Sequence, residues 1–264
     1  MHQIGVFAHS HVKTDWLPPA DGFIVDLDGT LISGGSALPH SFGLLARLKD
    51  RFVIVSNDAE HVPAQVASML GDLGLSVPSD RIVLAGTETL DLVATERPGA
   101  AVLLLASAAL AIYAQSIGLR LVESGPDVVV IGRDRGFSYA KLTTAANAVR
   151  AGAELIATNA DHTHPGPEGS VVPETGALLA AVLRCIGPTP CRVIGKPEPA
   201  LFAKALRILG VAAARTVVIG DNPMTDGVGA QRLGMAYSDV TDAGFGSMPT
   251  RTIEIGAPVL QECP

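Results

Sequence analysis

Apolar residues occur along this chain in short runs that are separated by longer segments of mixed polarity. The runs have the length of β-strands and cover residues 23–25, 52–55, 82–84, 101–105, 128–131, 155–157, 193–194 and 216–219. Segments of helical length lie between several of them, at residues 39–49, 61–73, 138–151, 175–185 and 199–209. Strands that alternate with helices predict an α/β fold with a parallel sheet and crossover helices.

Polar residues directly follow four of the predicted strands. They form the segments Asp26-Leu27-Asp28-Gly29-Thr30, Ser56-Asn57-Asp58, Gly195-Lys196-Pro197 and Gly220-Asp221-Asn222. Ligands of parallel α/β sheets bind beyond the carboxyl ends of the strands. We therefore expect four segments that are distant in the chain to converge on one crevice.

The first and last of these segments supply carboxylates. Asp26 and Asp28 lie two residues apart in one loop, where one can attack phosphorus while the other transfers a proton to the leaving oxygen. The same pattern also occurs in turns that only cap a helix. Asp221 together with Asp26 offers the oxygen ligands that Mg²⁺ prefers. Asp226 either supports the metal or stabilises a helix N-terminus.

The two other segments carry groups that can bind a phosphoryl group. Ser56 and Asn57 offer a hydroxyl and an amide to phosphoryl oxygens, although such residues also serve as plain helix N-caps. Lys196 can neutralise the phosphate and the attacking carboxylate, although an isolated lysine is more often a solvated surface residue. Each segment alone is ambiguous, whereas the ordered set is specific.

The four motifs, taken in order, resemble those of the haloacid dehalogenase superfamily of phosphohydrolases. They read Asp-x-Asp-Gly-Thr, Ser-Asn, Gly-Lys-Pro and Gly-Asp-x₄-Asp, and the resemblance extends over residues 21–237. It implies a Rossmann-like core with a parallel sheet and a separate cap domain. The length between Ser56 and Lys196 leaves room for a full α/β cap after the second motif. We therefore predict a core at residues 1–85 and 190–264, and a cap at residues 86–189.

The resemblance also implies a role for each motif residue. Asp26 would be the nucleophile and Asp28 the general acid/base, with the backbone carbonyl of Asp28 as a metal ligand. Ser56 and Lys196 would bind the phosphate together with Asn57. The remaining roles concern Mg²⁺, which Asp26, Asp28 and Asp221 would hold, with Asp226 and Asn222 in support.

Cap segments at residues 132–142 and 157–165 resemble those of NagD-like phosphatases, which include para-nitrophenyl phosphatases and pyridoxal phosphatases. In these enzymes such cap loops face the substrate, so Asp161, His162 and His164 are expected to contact it. Zinc binding by His162 and His164 is an alternative, although the sequence provides no cysteine or third histidine at a suitable spacing. Asp58 departs from the asparagine or serine that many members have, which leaves the substrate preference open.

The motifs together predict a Mg²⁺-dependent phosphatase that hydrolyses small phosphate monoesters through an aspartyl-phosphate on Asp26. A phosphotransferase that uses the same residues is one alternative. A catalytically silent binding or regulatory relative is another, and the complete set of motif residues argues against it. The expected partner is a small phosphorylated metabolite, and a homodimer that forms through the cap is a further expectation from the family.

Charge and composition narrow the partners and the location. The formal net charge is −7 and no basic stripe occurs, which argues against a nucleic acid as partner. The apolar runs are too broken to span a bilayer and the first residues lack the pattern of a signal peptide, so we expect a cytoplasmic protein without a membrane partner. The three cysteines, Cys185, Cys191 and Cys263, lack the spacing of a disulfide framework and are expected to be reduced.

Overall fold

The computed structural model describes residues 18–165 and 170–240. The strands are β1 (Gly22–Val25), β2 (Ile32–Ser33), β3 (Ser36–Ala37), β4 (Phe52–Ser56), β5 (Ile82–Leu84), β6 (Ala101–Leu105), β7 (Arg120–Leu121), β8 (Val128–Ile131), β9 (Glu154–Ala157), β10 (Thr163–Pro165), β11 (Val171–Pro173), β12 (Cys191–Val193), β13 (Thr216–Gly220) and β14 (Ala236–Asp239). The helices are α1 (Ser41–Leu48), α2 (Pro63–Asp72), α3 (Ala85–Glu96), α4 (Ala108–Ser116), α5 (Tyr139–Arg150), α6 (Thr175–Ile186), α7 (Pro199–Leu209) and α8 (Val228–Arg232).

Two parallel five-stranded sheets form the framework of the described residues. The first, called the core sheet below, has the strand order β14-β13-β1-β4-β5. The second, called the cap sheet, has the order β12-β9-β8-β6-β7 and is inserted in the chain between β5 and α7. The predicted α/β fold with parallel strands and an inserted cap is thereby confirmed.

The strands of the core sheet form because they are apolar and buried along their whole length. Every residue of β1, β4 and β13 is buried, as expected for parallel strands that are covered on both faces. In the register of β1, Val25 pairs with Ile219 of β13 and with Ile54 of β4. This register ends three neighbouring strands at the same edge of the sheet, and that edge carries the motif residues.

Helices cover both faces of each sheet and divide the interior into three apolar clusters. One cluster lies under α1 and α2 on the core sheet, and another lies under α5 and α6 on the cap sheet. The third joins the two sheets, since it contains Val53 and Val218 of the core sheet together with Val102 and Ile156 of the cap sheet. The two sheets therefore share one apolar cluster, to which helices α3, α4 and α7 also contribute residues.

The position of β12 differs from the sequence-based division into domains. Residues 190–264 are assigned to the core by sequence, yet Cys191–Val193 pairs in parallel with β9 of the cap sheet. A run of so few apolar residues cannot show from sequence alone which sheet it joins. Residues 1–17 and 241–264, which include Cys263 and the residues on which the signal-peptide expectation depends, lie outside the described residues.

Several elements are absent from the sequence-based prediction. Helix α4 has apolar residues on all sides, so its sequence reads as a continuation of strand β6 rather than as an amphipathic helix. The short strands of the two hairpins, β2–β3 and β10–β11, are too brief to show an alternating pattern. None of the helices within the described ranges has the length and apolarity needed to cross a bilayer.

Candidate active site

Asp26 is the first residue after β1 and its carboxylate is buried between two donors. Its backbone N–H donates to Ile219 O at 2.8 Å, which continues the ladder with β13. Thr30 Oγ1 donates to Asp26 Oδ2 at 3.0 Å, and Lys196 Nζ donates to Asp26 Oδ1 at 2.5 Å. Both carboxylate oxygens are thus fixed in direction before any ligand binds.

Lys196 lies beyond the end of β12 and is almost completely buried. Besides Asp26, its ammonium contacts Asp226 Oδ1 at 2.8 Å. Burial opposes the charged form, but the neighbouring carboxylates of Asp226 and Asp26 outweigh it and raise the pKa of Lys196. The lysine therefore remains a cation in contact with the predicted nucleophile, and the sequence-based alternative of a solvated surface lysine is wrong.

The backbone of Lys196 is held by the side chain of Asn57. Lys196 N donates to Asn57 Oδ1 at 2.7 Å, and Asn57 Nδ2 donates to Lys196 O at 3.2 Å. A Cβ atom on Gly195 would lie 2.6 Å from Asn57 Oδ1, so only glycine permits this close approach. Both the nitrogen and the oxygen of the Asn57 amide are therefore engaged in hydrogen bonds within the protein. The predicted direct contact of this side chain with phosphate would require one of these bonds to break.

Three carboxylates form a cluster at the same edge of the core sheet. Asp26, Asp221 and Asp226 each offer a ligand oxygen, and these oxygens all lie within 4.8 Å of one another. Asp221 follows β13 directly, and Asp226 lies in the π-helical turn Pro223–Gly227. The sequence predicts a supporting role for Asp226, and in the structure its carboxylate lies in the same cluster as those of Asp26 and Asp221.

Two glycines make room for these carboxylates. Gly29 has φ +82°, and a Cβ atom on it would lie 2.0 Å from Asp221 Oδ2. A Cβ atom on Gly220 would lie 2.3 Å from Asp226 Oδ2. Any side chain at either position would displace a carboxylate of the cluster, which explains why glycine occurs in both acidic motifs.

The charges of the cluster fit a divalent cation with oxygen ligands. Three aspartates against the single ammonium of Lys196 leave two negative charges in excess when all are ionised. Burial raises the pKa of Asp226 and of Asp221, and the charge of Asp26 adds to this effect. Asp226 Oδ2 is buried and has no hydrogen-bond partner within the described structure. A hard cation such as Mg²⁺ would satisfy this oxygen and offset the excess charge.

Asp28 lies two residues after Asp26 in the same loop and is exposed. Partial desolvation and the negative charges of Asp26 and Asp58 raise the pKa of Asp28 to about 6. The positive charges of Lys196 and His164 act in the opposite direction. A carboxyl group with this pKa exists in both protonation states near neutral pH, which suits a residue that first donates and then accepts a proton.

Ser56 and Asn222 complete the motif positions in different ways. Ser56, at the end of β4, is buried, and its Oγ accepts a hydrogen bond from Asp58 N at 3.0 Å, so its own proton remains available to an acceptor. Asn222 is exposed, and its Oδ1 accepts from Met224 N at 2.9 Å. Asn222 therefore supports the turn that carries Asp226.

The comparison with family models agrees with this geometry. Residues 23–120 match a model described as haloacid dehalogenase-like hydrolase, and residues 193–243 match a second model of the same superfamily. The acid sugar phosphatase of Staphylococcus saprophyticus is 34% identical over 209 residues, which is 77% of this chain and 80% of the relative. The chain belongs to the haloacid dehalogenase-like hydrolases.

Solved structures of this family have the same architecture. The para-nitrophenyl phosphatase of Archaeoglobus fulgidus is similar with a TM-score of 0.78 and 28% identity, over 83% of this chain and 85% of that one. The glycerol phosphate phosphatase of Mycobacterium tuberculosis in complex with magnesium gives a TM-score of 0.76 and 33% identity, over 83% and 67% of the two chains. Within the hydrolase family, the chain thus falls in the NagD-like phosphatase group.

The three cap residues that were predicted to contact substrate, Asp161, His162 and His164, have different surroundings in the structure. Asp161 accepts a hydrogen bond from Asn57 Nδ2 at 3.0 Å, so it is tied to the core. His164 Nδ1 lies 2.6 Å from Glu174 Oε1, and His162 is exposed. Neither histidine belongs to the cluster of metal-ligating atoms found among the described residues. The structure therefore gives no support to the zinc alternative.

Asp58 has a local role that its sequence position left open. Its carboxylate accepts from Glu60 N and His61 N, each at 2.8 Å, and lies 2.7 Å from His61 Nδ1. Burial alone would raise the pKa of Asp58, but these contacts with His61 outweigh it and lower it. Asp58 therefore closes the loop after β4, where a substrate amine would have to compete with His61.

Two contributors to this hydrolase site are missing from the sequence-based prediction. Thr30 orients Asp26, and its place four residues later in the same motif was the available signal. Arg133 contacts Glu60 at 3.0 Å and Glu174 at 3.3 Å, which joins the loop after β4 to the cap. Arg133 lies in the cap segment at residues 132–142, but its ion pairs could not be predicted from that segment, because both partners lie far away in the chain.

Proposed function

We propose that this hydrolase is a Mg²⁺-dependent phosphatase that cleaves small phosphate monoesters through an aspartyl-phosphate formed on Asp26. The observation that carries the proposal is that ligand oxygens of Asp26, Asp221 and Asp226 lie within 4.8 Å of one another, with the buried ammonium of Lys196 in contact with Asp26 and Asp226. Such a site combines a nucleophile, a place for a cation and a fixed positive charge, which are the components that phosphoryl transfer requires.

The metal would be held by Asp26, Asp221 and the backbone carbonyl of Asp28, and Asp226 is close enough to join them or to orient them. When bound, Mg²⁺ supplies charge neutralisation that lets an anionic carboxylate approach an anionic ester. Asp226 Oδ2 is buried without a hydrogen-bond partner among the described residues, and a bound cation would compensate for the lost hydration of this oxygen.

The chain's own residues prepare the nucleophile. Thr30 and Lys196 each bind one oxygen of the Asp26 carboxylate, and this contact fixes its rotation. A carboxylate held in this way attacks phosphorus in line with the leaving group without a prior search of rotamers. The P–O bond to the leaving alcohol breaks as the bond to Asp26 forms.

Asp28 would transfer the protons of both half-reactions. In its protonated form it donates to the leaving alkoxide, and in the ionised form that results it takes a proton from water. The hydroxide then attacks phosphorus and releases inorganic phosphate and the Asp26 carboxylate. The pKa of Asp28, about 6, supports both roles near neutral pH.

The phosphoryl group would be bound by Ser56 and Lys196. The Ser56 hydroxyl retains a proton to donate, and the Lys196 ammonium remains charged. We assign Asn57 a positioning role, since its amide holds the backbone of Lys196 and the side chain of Asp161. It would thereby fix the lysine relative to both the core and the cap.

The substrate is proposed to be a small phosphorylated metabolite. The relatives carry the names acid sugar phosphatase and glycerol phosphate phosphatase, so sugar phosphates and glycerol phosphate enter the test together with phosphoglycolate, pyridoxal phosphate and nucleoside monophosphates. A homodimer through the cap stays a prediction.

The test is phosphate release from this panel and from para-nitrophenyl phosphate, with Mg²⁺ and after chelation by EDTA. We expect turnover that EDTA abolishes and that added Mg²⁺ restores. Acid quenching during turnover should trap a chain whose mass has increased by one phosphoryl group, located on Asp26 by peptide mapping. Undiminished turnover after complete chelation, or a phosphoryl group on another residue, would contradict the proposal.

A further inference from the structure

The strand ends of the cap sheet contact one short segment of the core. Asn159, which follows β9, donates from Nδ2 to Asn57 O at 2.7 Å. Arg133, which follows β8, donates from its backbone to Ala59 O at 3.2 Å. Ser107, which follows β6, donates from Oγ to Glu60 O at 2.5 Å. The loop at residues 57–60, which begins directly after Ser56, is therefore bound by three neighbouring strands of the cap.

We call the contact region between the cap strand ends and the loop at residues 57–60 the seam. The side chain of Arg133 adds an ionic contact to it. Its Nη1 atom lies 3.0 Å from Glu60 Oε2 of the core loop and 3.3 Å from Glu174 Oε1 of the cap. The side chains of all three residues are at most 16% exposed. Ion pairs that are shielded from water in this way are screened little by salt, and the loss of one partner leaves a buried charge uncompensated.

The same contact reaches a histidine of the predicted substrate-facing hairpin. Glu174, which binds Arg133, also lies 2.6 Å from Nδ1 of His164 in β10. Strand β10, which carries His164, begins two residues after Asp161, whose Oδ2 accepts a hydrogen bond at 3.0 Å from Nδ2 of Asn57. Asn57 in turn holds the backbone of Lys196, so the hairpin is attached beside the phosphate-binding lysine. A chain of contacts thus runs from Glu60 in the core through Arg133 and Glu174 to His164.

We infer that Arg133 is a positioning residue that ties the cap to the core loop at residues 57–60 and holds the His164 hairpin over the leaving-group side of the site. This inference rests on the proposed phosphatase function. The ion pairs of Arg133 within the described residues are with Glu60 and Glu174, not with Asp26 or the proposed metal ligands, so this arginine acts through Glu174 and His164. It determines how tightly a leaving group with polar atoms is bound, and it leaves the attack on phosphorus unchanged.

The first arm of the test compares Arg133→Met with wild type on two substrates. One is the best phosphate ester found in the metabolite panel, and the other is acetyl phosphate, whose leaving group is small and needs little binding. We expect the KM for the ester to rise about tenfold with little change in kcat, and both constants for acetyl phosphate to stay within about twofold. Equal losses on both substrates, or none on either, would overturn the inference.

Two further variants serve as matched controls. Arg133→Lys keeps the positive charge but replaces the planar guanidinium with a single ammonium group, so it should restore part of the KM. Arg135→Met removes a second arginine that contacts the same Glu60, at 3.0 Å, but is 71% exposed. It should leave both substrates unaffected, and a KM change as large as that of Arg133→Met would contradict the specific role of Arg133.

The second arm does not depend on activity. Hydrogen exchange followed by mass spectrometry reports how often the seam opens. Peptides that contain residues 57–60 and the β10 strand should exchange faster in Arg133→Met than in wild type or Arg135→Met. Unchanged exchange would overturn the inference even if the enzyme is an active phosphatase. If wild type hydrolyses no phosphate ester, the proposed function fails, and the exchange arm still decides whether Arg133 ties the two domains.

Discussion

The core sheet and the cap sheet share one architecture and differ in the charge of the residues beyond their strand ends. The core sheet places Asp26 after β1 and Asp221 after β13. The cap sheet places Arg133 after β8 and Lys196 shortly after β12. The carboxylates of the cluster therefore come from the core, and the lysine that contacts two of them follows the last strand of the cap sheet.

This difference teaches that neither sheet forms the site alone. The core contributes a carboxylate cluster that carries excess negative charge. Lys196, which neutralises part of this charge, follows the last strand of the cap sheet in the chain. The parallel sheet is a common solution to burying apolar strands, and the chemistry depends on which side chains extend beyond its edge. The predictions below test this division, from the largest expected effect to the smallest.

Replacement of the core nucleophile should have the largest effect. In Asp26→Asn the amide cannot form the acyl phosphate, so we expect turnover to fall by about 10⁴-fold or more. The near-isosteric amide should preserve the fold, which circular dichroism and thermal melting would check. Phosphatase activity close to wild type in a folded Asp26→Asn protein would refute the assignment of the nucleophile.

Removal of the buried lysine should affect both chemistry and stability. Lys196→Met leaves the carboxylates of Asp26 and Asp226 without their shared cation, and we expect kcat/KM to fall by about 10²–10³-fold. The variant should also melt at a lower temperature, and Mg²⁺ should recover part of that loss. Lys204→Met is the matched control, because Lys204 also binds two carboxylates, Glu88 and Asp91, but lies outside the site. A Lys204→Met protein as inactive as Lys196→Met would contradict the specific role of Lys196.

Loss of the hydroxyl that orients the nucleophile should have a moderate effect. Thr30→Val removes the 3.0 Å hydrogen bond to Asp26 Oδ2 and retains nearly the same shape. We expect kcat to fall about tenfold with a smaller change in KM, since one hydrogen bond of this kind contributes about 1–2 kcal/mol. Steady-state kinetics would check it. An unchanged kcat would show that Lys196 alone is enough to fix the carboxylate.

The ion pair of Asp58 with His61, in the core loop after β4, should make a small, pH-dependent contribution to stability. The hydrogen bond to Asp58 raises the pKa of His61 above 6.5, and contacts with His61 hold the pKa of Asp58 below 3.8 against the opposing effect of burial. The contribution of Asp58 is present above pH 3.8 and lost on acidification. That of His61 is complete below pH 6.5 and is lost as the pH rises through its raised value.

His61→Gln should therefore lower the free energy of unfolding by about 1 kcal/mol near pH 5.5 and by less at about pH 9. Urea unfolding at both pH values would measure the difference. A destabilisation that is the same at both pH values would mean that the pair acts through packing or a neutral hydrogen bond instead of charge.

Much of the fold could be predicted from the sequence, because buried parallel strands consist of continuous runs of apolar residues. The runs that became β4, β5, β6, β8 and β13 were recognisable for this reason. Helix α3 is absent from the sequence-based prediction because it lacks a clear polar face. Seven of its residues are buried, and these include Gly86, Glu88, two threonines and an alanine. The membership of β12 in the cap sheet depends on hydrogen bonds to β9 that no local pattern encodes.

For the active site, the sequence by itself determined the chemical groups and their order. Asp26, Asp28, Ser56, Lys196 and Asp221 follow apolar runs, and this placement assigns them to strand ends. Only the tertiary structure decided that Asp226 joins the acidic cluster, that Asn57 holds Lys196 and that Arg133 connects the domains. The physical reason is that a strand's burial is encoded locally, whereas a contact between loops 170 residues apart, such as that of Lys196 with Asp26, depends on how the core and the cap come together.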